Sequence, residues 1–425
     1  MQDPGRALRV AFLVYRGNPR CGGQGVYTKY LTRELSRLGV DVEVFSGPPY
    51  PILDSCVLLN KIPSLDLYRD PDPFRIPKLK EFKDVIDVLE FAIMATAGFP
   101  EPLTFSLRAH RELRKRLGAF DLVHDNQCLG YGLLKMMKDG WPLIATIHHP
   151  ITVDRELDLM HAKTFSKRLS VKRWYGFLRM QKKVARALDQ IVTVSNSSKH
   201  DVSEAFGVDK NKISVVPVGV DHEIFKPLDG IVKKNGQIMT TASSDVPMKG
   251  LVPLLEAVAK LRTEREVNLI VIGKLRPESR VKGVIESLNL SNCVSFIHGI
   301  TDNEIVKLYA QSQVAVVPSL YEGFSLPAIE AMASGVPLVA TTGGAIPEVV
   351  GKDGESALLV PPNDPSALAT KIALLLDNEH LRQKLAQGGR NRVLGRFTWQ
   401  STAKGTLDAY LELLERKGKY FYAYR

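Results

Sequence analysis

Residues 319–341 read SLYEGFSLPAIEAMASGVPLVAT. The run that leads into them, QVAVVPS, is short, apolar and rich in β-branched residues, as a buried strand is. A helix should follow, with Pro327 suited to a first helical position, Ser325 to a cap and Gly335 to the stop; PLVAT then returns to strand. Strand, loop, helix and strand in that order make a βαβ unit of a parallel sheet. In open parallel sheets ligands bind outside the carboxyl ends of the strands. Glu322 therefore falls on a ligand-facing loop, and Glu330 about one turn into the helix behind it. The amides of Phe324, Ser325 and Leu326 lie at the positive end of that helix, a place suited to a phosphate. A carboxylate accepts well from paired hydroxyls, so two glutamates here suit a polyhydroxylated ligand.

The same alternation runs along most of the chain. RVAFLVY, VDVEVFS, DLVH, PLIATIH, QIVTVS and ISVVPV are strand candidates in the first half; QIMTTAS, NLIVIG, VSFIHG, QVAVVPS, PLVATT and ALLVPP follow in the second. Each set is long enough for its own doubly wound sheet. The stretch 219–237, GVDHEIFKPLDGIVKKNGQ, interrupts the pattern with three glycines and a proline. The expected organisation is a domain over 1–218, a second over 219–400, and a terminal helix over 401–425 that packs on its own domain or crosses to the other. That helix is read from the spacing of Leu407, Tyr410, Leu411 and Leu414. A long insertion, roughly 50–118, separates the second and third strands of the first set and contains the helical stretch DVIDVLEFAIMATAGF.

Composition bounds the function. At 425 residues, 44% hydrophobic and 24% charged, the chain has ordinary globular usage and room for two or three domains. Its net charge of +11 favours polyanions, phosphorylated substrates or anionic lipid without choosing among them. Cys21, Cys56, Cys128 and Cys293 are scattered, with no C-x-x-C pair, which reads as a reduced cytoplasmic protein without a zinc site or disulfide framework. The apolar run near the start, VAFLVY, is too short for a signal-peptide core, and no run approaches the ~18 residues of a membrane span.

YEGFSLPAIEAMASGVPLVAT resembles the Glu-x7-Glu signature of retaining glycosyltransferases with two Rossmann-like domains facing across a cleft (the GT-B fold; glycosyltransferase family 4, glycosyl transferases group 1). The resemblance covers nearly the whole chain and is specific at this segment. It implies that Glu322 contacts the donor sugar, that Glu330 holds the ribose 2′- and 3′-hydroxyls, and that Phe324, Ser325 and Leu326 supply amides to the diphosphate. CGGQGVYTKYLTRELSRLGV follows the first strand and resembles the family's Gly-Gly loop, so Gly22 and Gly23 would face donor diphosphate and acceptor. As a dinucleotide fingerprint it fails, because the G-x-G-x-x-G order and an acid ending the second strand are both absent.

TTASSDVPMKG places Lys249 between a strand and a helix, where a cation can neutralise a departing diphosphate. The family usually carries an arginine six residues before this lysine; here that position is Ser243. Either Ser243 donates a hydrogen bond in its place, or Lys274 or Arg276 substitutes. In ATIHHP, His148 matches the family's active-site histidine beside the donor sugar. His124 and Asp125 in DLVHDNQ, at another strand exit, are acceptor-side candidates. Finally, 161–188 contains nine Lys or Arg, no acid, and Phe165, Trp174, Tyr175 and Phe177 among them. Such a stretch suits an anionic bilayer, with Trp174 and Tyr175 at the headgroups, or a solvated helix with its aromatics turned inward; no nucleic-acid module surrounds it.

The expectation is a retaining hexosyltransferase that uses a nucleotide diphosphate-sugar as co-substrate, with no cofactor and no metal. UDP-glucose is the first choice of donor and GDP-mannose the second; no residue decides between them, and the acceptor is open. An epimerase on the same architecture and a non-enzymatic nucleotide-sugar-binding regulator are the alternatives. The expected location is cytoplasmic, with peripheral contact at the inner membrane face as one option.

Overall fold

The computed structural model describes every residue except 1–5, 19–22, 70, 163, 245, 277–278, 420–423 and 425. It divides into two compact units. The first comprises Met1–Val194, Ser198–Val216 and Thr402–Arg425; the second comprises Ser195–Ser197 and Pro217–Ser401.

The first unit is built on a seven-stranded sheet of β1 (Arg9–Val14), β2 (Asp41–Ser46), β3 (Leu58–Lys61), β4 (Leu122–Asn126), β5 (Leu143–Thr146), β6 (Gln190–Thr193) and β7 (Ile213–Val215). Their order across the sheet is β3-β2-β1-β4-β5-β6-β7, and every pairing is parallel. Val10 stands beside Val42 on one side and Leu122 on the other, so the chain winds outward in both directions from β1. β4, β5 and β6 are buried along their whole length, which is why they read as continuous apolar runs rather than alternating ones. Helices cover the faces, and the core joins Leu13, Phe105, Leu113, Val123, Leu143, Ile191 and Phe206.

The second unit repeats the design with six parallel strands: β8 (Gln237–Thr241), β9 (Asn268–Ile272), β10 (Val294–Ile297), β11 (Val314–Val317), β12 (Leu338–Thr341) and β13 (Ala357–Val360), in the order β10-β9-β8-β11-β12-β13. Its core includes Leu254, Leu255, Val258, Leu269, Val316, Val339 and Ile372. Truncating one such leucine to alanine costs about 2–5 kcal/mol, so each unit has ample apolar packing to hold its loops. The winding reverses between β8 and β11. There the connections after the two strands run to opposite faces and leave a crevice between their carboxyl ends.

Two features differ from the sequence reading. The insertion between β2 and β4 contributes β3 as a seventh, edge strand; LLNK is only half-buried and carries no alternation to betray it. In the terminal Trp399–Arg416 helix the buried positions include Leu407, Tyr410, Leu413 and Leu414, whereas Leu411 is only partly buried. Among the described residues no helix is long and apolar enough to cross a membrane.

Candidate functional site

Glu322 lies on the loop after β11, on the crevice side of the second unit. Its Oε1 accepts from Lys249 Nζ at 2.8 Å and from Ser319 Oγ at 2.7 Å. Lys249 arrives there from the loop after β8, the other strand of the switch point. Gly250 makes the approach geometrically feasible: its φ is +67°, and a Cβ there would stand 1.8 Å from the Pro318 carbonyl oxygen. The Leu320 amide then donates to the Met248 carbonyl at 2.7 Å and ties the two loops. Beneath Glu322 run Gly343 and Gly344. Side chains there would meet the carbonyl oxygens of Leu320 at 2.5 Å and Glu322 at 2.3 Å, and Gly344 has a φ of +61°. Thr341 Oγ1 donates to the Ser319 carbonyl, and the Ala345 amide to the Glu322 carbonyl at 2.9 Å. The glutamate is thus held by backbone on both sides. The Gly-Gly pair and Ser319 were missed in the sequence, although TTGG directly after a buried strand was the signal for a close backbone approach.

The helix behind the loop is Leu326–Ala333. It ends as expected of a Schellman motif, with Gly335 at φ +67°, its amide on the Met332 carbonyl and the Val336 amide on the Ala331 carbonyl. Its start departs from expectation. Ser325 occupies the cap position but its side chain caps nothing: the residue sits at φ +102°, ψ +80°, and its buried Oγ has no partner. A non-glycine residue held there costs of order 1–3 kcal/mol and persists only because its surroundings over-determine it. Such strain, with an orphaned hydroxyl at a helix N-terminus, belongs to a loop shaped for something other than stability. Phe324 is buried against Phe397.

Glu330 is half-buried, one turn into the helix. Desolvation first, then Asp302, push its carboxyl up to about 7, against the pull of Lys249. Tyr309 packs beside it. Ser243 is exposed, and its neighbour Ser244, not singled out in the sequence, does the stitching. Ser244 Oγ donates to the Lys274 carbonyl at 2.9 Å and accepts from the Arg276 amide at 3.2 Å. The two alternative cations are therefore tethered to the Lys249 loop through Ser244.

In the first unit, His148 follows β5. Its Nε2 is 2.9 Å from Asn126 Oδ1, its amide donates to Gln127 Oε1 at 2.7 Å, and Tyr27 meets its ring edge-on at 4.6 Å. Gln127 Nε2 also donates to the His149 carbonyl at 2.8 Å, so one side chain clamps both ends of the His148–His149 segment. Burial, then His149, lower the His148 pKa to about 3, and the imidazole is neutral. With Asn126 Oδ1 as acceptor, Nε2 carries the ring proton and Nδ1 keeps a lone pair.

His124 and Asp125 are not acceptor-side groups. Both lie within β4 and are fully buried. His124 is bonded to Tyr410 Oη at 2.5 Å and to Thr146 Oγ1 at 2.8 Å, and Asp125 accepts from the Leu129 amide at 2.9 Å. The strand runs two residues further than DLVH suggested, to Asn126, and it is Asn126 and Gln127, themselves buried, that bond the His148–His149 segment. Gly22 lies outside the described residues. Gly23 opens the Gly23–Arg37 helix in uncrowded space, whereas Gly25 is the glycine that packing demands, since a Cβ there would stand 2.0 Å from the Asn18 carbonyl oxygen.

The basic stretch is two helices, Phe165–Trp174 and Leu178–Ala187, joined by a turn. Trp174 packs on Phe99 and Tyr68, and Tyr175 donates to Asp158 Oδ2 at 2.8 Å, so neither stands clear at a headgroup level. Phe165 and Leu169 are the apolar side chains left exposed beside Lys167, Arg168, Lys172 and Arg173.

Residues 229–392 match the family described as Glycosyl transferases group 1, and residues 21–224 match Glycosyltransferase Family 4. An MMP alpha-(1->4)-mannosyltransferase from Mycolicibacterium hassiacum is 52% identical over 410 residues, 96% of this chain and 99% of its own. Among solved structures, sucrose-phosphate synthase from Thermosynechococcus elongatus aligns with a TM-score of 0.71 at 22% identity, over 96% of this chain and 100% of its own. Anabaena HepE, solved with UDP-glucose, aligns with a TM-score of 0.66 at 17% identity, over 97% of this chain and 99% of its own. At these identities the structural likenesses speak for the fold.

Proposed function

The chain belongs to the group 1, family 4 glycosyltransferases, built on the GT-B pair of Rossmann-like units, and from that premise we propose that it transfers mannose from a nucleoside diphosphate-mannose to a saccharide hydroxyl with retention of configuration. The sequence alone ranked UDP-glucose ahead of GDP-mannose. The 52% identical relative, named as an alpha-(1->4)-mannosyltransferase, supports the opposite order. Mannose is α-linked in such donors, so an α product is a retained one. The relatives do not favour the epimerase or the non-enzymatic alternative.

The observation that carries the reading is the Lys249–Glu322–Ser319 cluster at the β8/β11 switch point, with Glu330 one turn behind it. In the proposal Glu322 accepts from donor-sugar hydroxyls and Glu330 from the ribose. The amides of Phe324, Ser325 and Leu326 receive the diphosphate, and the Ser325 hydroxyl finds there the partner it lacks. As the bond from C1 to the phosphate oxygen breaks, its electron pair goes to the diphosphate, and Lys249 stabilises that charge. The acceptor oxygen bonds to C1 on the face the diphosphate leaves, and its proton passes to a phosphate oxygen. No protein base and no metal is needed in this scheme. Neutral His148 offers the Nδ1 lone pair to a sugar hydroxyl, and the family resemblance would have the Gly22–Gly23 pair of the sequence face diphosphate and acceptor.

A panel of nucleotide-sugars in thermal shift, followed by product analysis by NMR, tests this. A ligand at 100 times its Kd adds about 2.7 kcal/mol, so GDP-mannose should raise Tm more than UDP-glucose. Stabilisation by UDP-glucose alone would overturn the mannosyl donor. A β-linked product would overturn retention, and activity lost to chelator and restored by magnesium would overturn metal independence.

Peripheral contact with anionic membrane has one observation in its favour: Phe165 and Leu169 stand exposed on a helix with four cationic neighbours and no acid.

A further inference from the structure

We propose that the first unit carries a second saccharide subsite, built by the Thr152–His161 and Phe165–Trp174 helices, that grips an acceptor glycan several sugars away from its reacting hydroxyl. The pocket stands on its own geometry; only the identity of its occupant as acceptor rests on the glycosyltransferase reading.

The two helices and the end of the Val85–Ala95 helix enclose an open cavity of about 560 Å³, within the roughly 300–1,000 Å³ typical of ligand pockets. Its floor is aromatic and rigid. The Trp174 ring is braced by Phe99 at 5.1 Å and Tyr68 at 5.7 Å, and Phe74, more than half exposed, stands beside it at 6.0 Å with its ring tilted by 54°. Its rim is polar. Tyr175 Oη donates to Asp158 Oδ2 at 2.8 Å, which leaves the carboxylate with acceptor capacity, and Lys167 and Ser170 add donors.

A pyranose has one face of C–H groups and an edge of hydroxyls that both donate and accept. A fixed aromatic plane suits the first, and a carboxylate flanked by amine and hydroxyl suits the second. Because Asp158 and Lys167 are of opposite sign, the pocket favours a neutral polar ligand. An acyl chain would desolvate both charges and return no hydrogen bond. A flat anionic bilayer would meet Asp158 with like charge and leave the concavity unfilled.

Position supplies the functional link. The Thr152–His161 helix begins three residues after His149 in the sequence, and Asp158 lies six residues further, about 9 Å along the helix at 1.5 Å per residue. A rise of that length exceeds one pyranose ring, so a ligand that touched both the His148 segment and Asp158 would be an oligosaccharide rather than a single sugar. The pocket is thus a device for telling long acceptors from short ones.

The test uses the full chain, with linear α-(1→4)-linked mannooctaose and the corresponding disaccharide, and maltooctaose as the gluco counterpart. Without donor, calorimetry should show at least one octasaccharide binding the parent. Ser170→Trp, which fills the cavity from an exposed position, and Asp158→Asn should each weaken that binding tenfold or more. Trp174→Ala should do the same, with Ser170→Trp guarding against its simple failure to fold. In transfer assays the KM advantage of octasaccharide over disaccharide should disappear in the variants. The inference is overturned if neither octasaccharide binds the parent, or if Ser170→Trp leaves binding and the KM ratio unchanged. It is overturned too if Ser170→Trp abolishes co-sedimentation with phosphatidylglycerol vesicles while saccharide binding stays intact. If the parent transfers from no nucleotide-sugar yet loses octasaccharide binding on Ser170→Trp, the transfer reading fails and the saccharide subsite stands.

Discussion

Lys249 Nζ donates to Glu322 Oε1 at 2.8 Å across 73 residues of sequence, and the loops that bring them together leave adjacent strands of the second sheet. The cation proposed for the leaving diphosphate is thereby held on the carboxylate proposed for the sugar. Removing either residue leaves the other half-buried without its counter-charge. Lys249→Ala should lower kcat by 10²–10³, about 2.7–4 kcal/mol, as the loss of an electrostatic donor does. Glu322→Ala should lower turnover strongly with nucleotide affinity nearly intact. The double variant should show a coupling of about 0.5–3 kcal/mol. Additive effects in steady-state kinetics would mean that the pair does not act as a unit.

Glu330 makes nucleotide affinity depend on pH. Its carboxyl is held up to about 7, so it accepts from ribose hydroxyls fully only above that value, and GDP affinity should rise between pH 6 and 8. Stability runs the other way. Between about pH 4.5 and 7 the fold keeps a proton that the unfolded chain has released, so this group's contribution is lost as pH rises through 7. Glu330→Gln should weaken GDP, flatten its pH dependence by calorimetry, and reduce the fall of Tm across that window.

Ser325→Gly should separate stability from function. Glycine adopts φ +102° without strain, so part of the 1–3 kcal/mol is released and Tm should rise, about 2–4 °C per kcal/mol. The hydroxyl is lost with it, and affinity for nucleoside diphosphate should fall while that for the nucleoside stays. A Tm below the parent's would show that Ser325 carries no strain.

His148 should give no kinetic limb near neutrality. Burial holds it, like His124, at about 3, so both stay neutral in the fold while the unfolded chain protonates them below 6.5. Acid therefore weakens the fold progressively between about pH 6.5 and 3. His148→Ala should cost about 1 kcal/mol, roughly fivefold in kcat, as one neutral hydrogen bond does. The pH–rate profile between 6 and 9 should keep its shape, and a limb that vanished with His148 would show that the imidazole titrates in turnover.

Liposome co-sedimentation tests the basic helix. Each Lys or Arg near an anionic surface contributes about 1 kcal/mol, screened within roughly 8 Å in physiological salt. Binding should require anionic lipid, fall with salt, and weaken when Lys167, Arg168, Lys172 and Arg173 become Gln or when Phe165 becomes Ser. A parent that stays in the supernatant at low salt makes this a solvated helix.

Much of the architecture was legible because parallel strands buried on both faces must be short apolar runs, and helices between them must carry turn chemistry at their ends. QVAVVPS, the stop at Gly335 and the alternation along both halves are local signals, and local signals survive in a sequence. The edge strand LLNK left none, since a half-buried four-residue strand pairs through its backbone rather than through a pattern of side chains.

The site was legible only in part, and the division has a physical cause. Glu322, Glu330, Lys249 and His148 are chemistry-bearing side chains at strand exits, which the resemblance could pick out by type and spacing. Which neighbours hold them is a matter of contacts between segments far apart in the chain. Ser319 and Lys249 converging on one carboxylate oxygen, Gly343 and Gly344 beneath it, and Gln127 clamping the His148 peptide all exist only once the sheets have formed. His124 and Asp125 show the converse. In the sequence they stand beside Asn126 and Gln127 as equals, and all four are buried, but packing turns His124 onto Tyr410 and Thr146 and gives Asn126 and Gln127 to the His148–His149 segment. The residue types and their order were set by the sequence alone; their burial, their partners and their protonation were decided by tertiary packing, because desolvation and hydrogen bonding depend on what the rest of the chain places around a group.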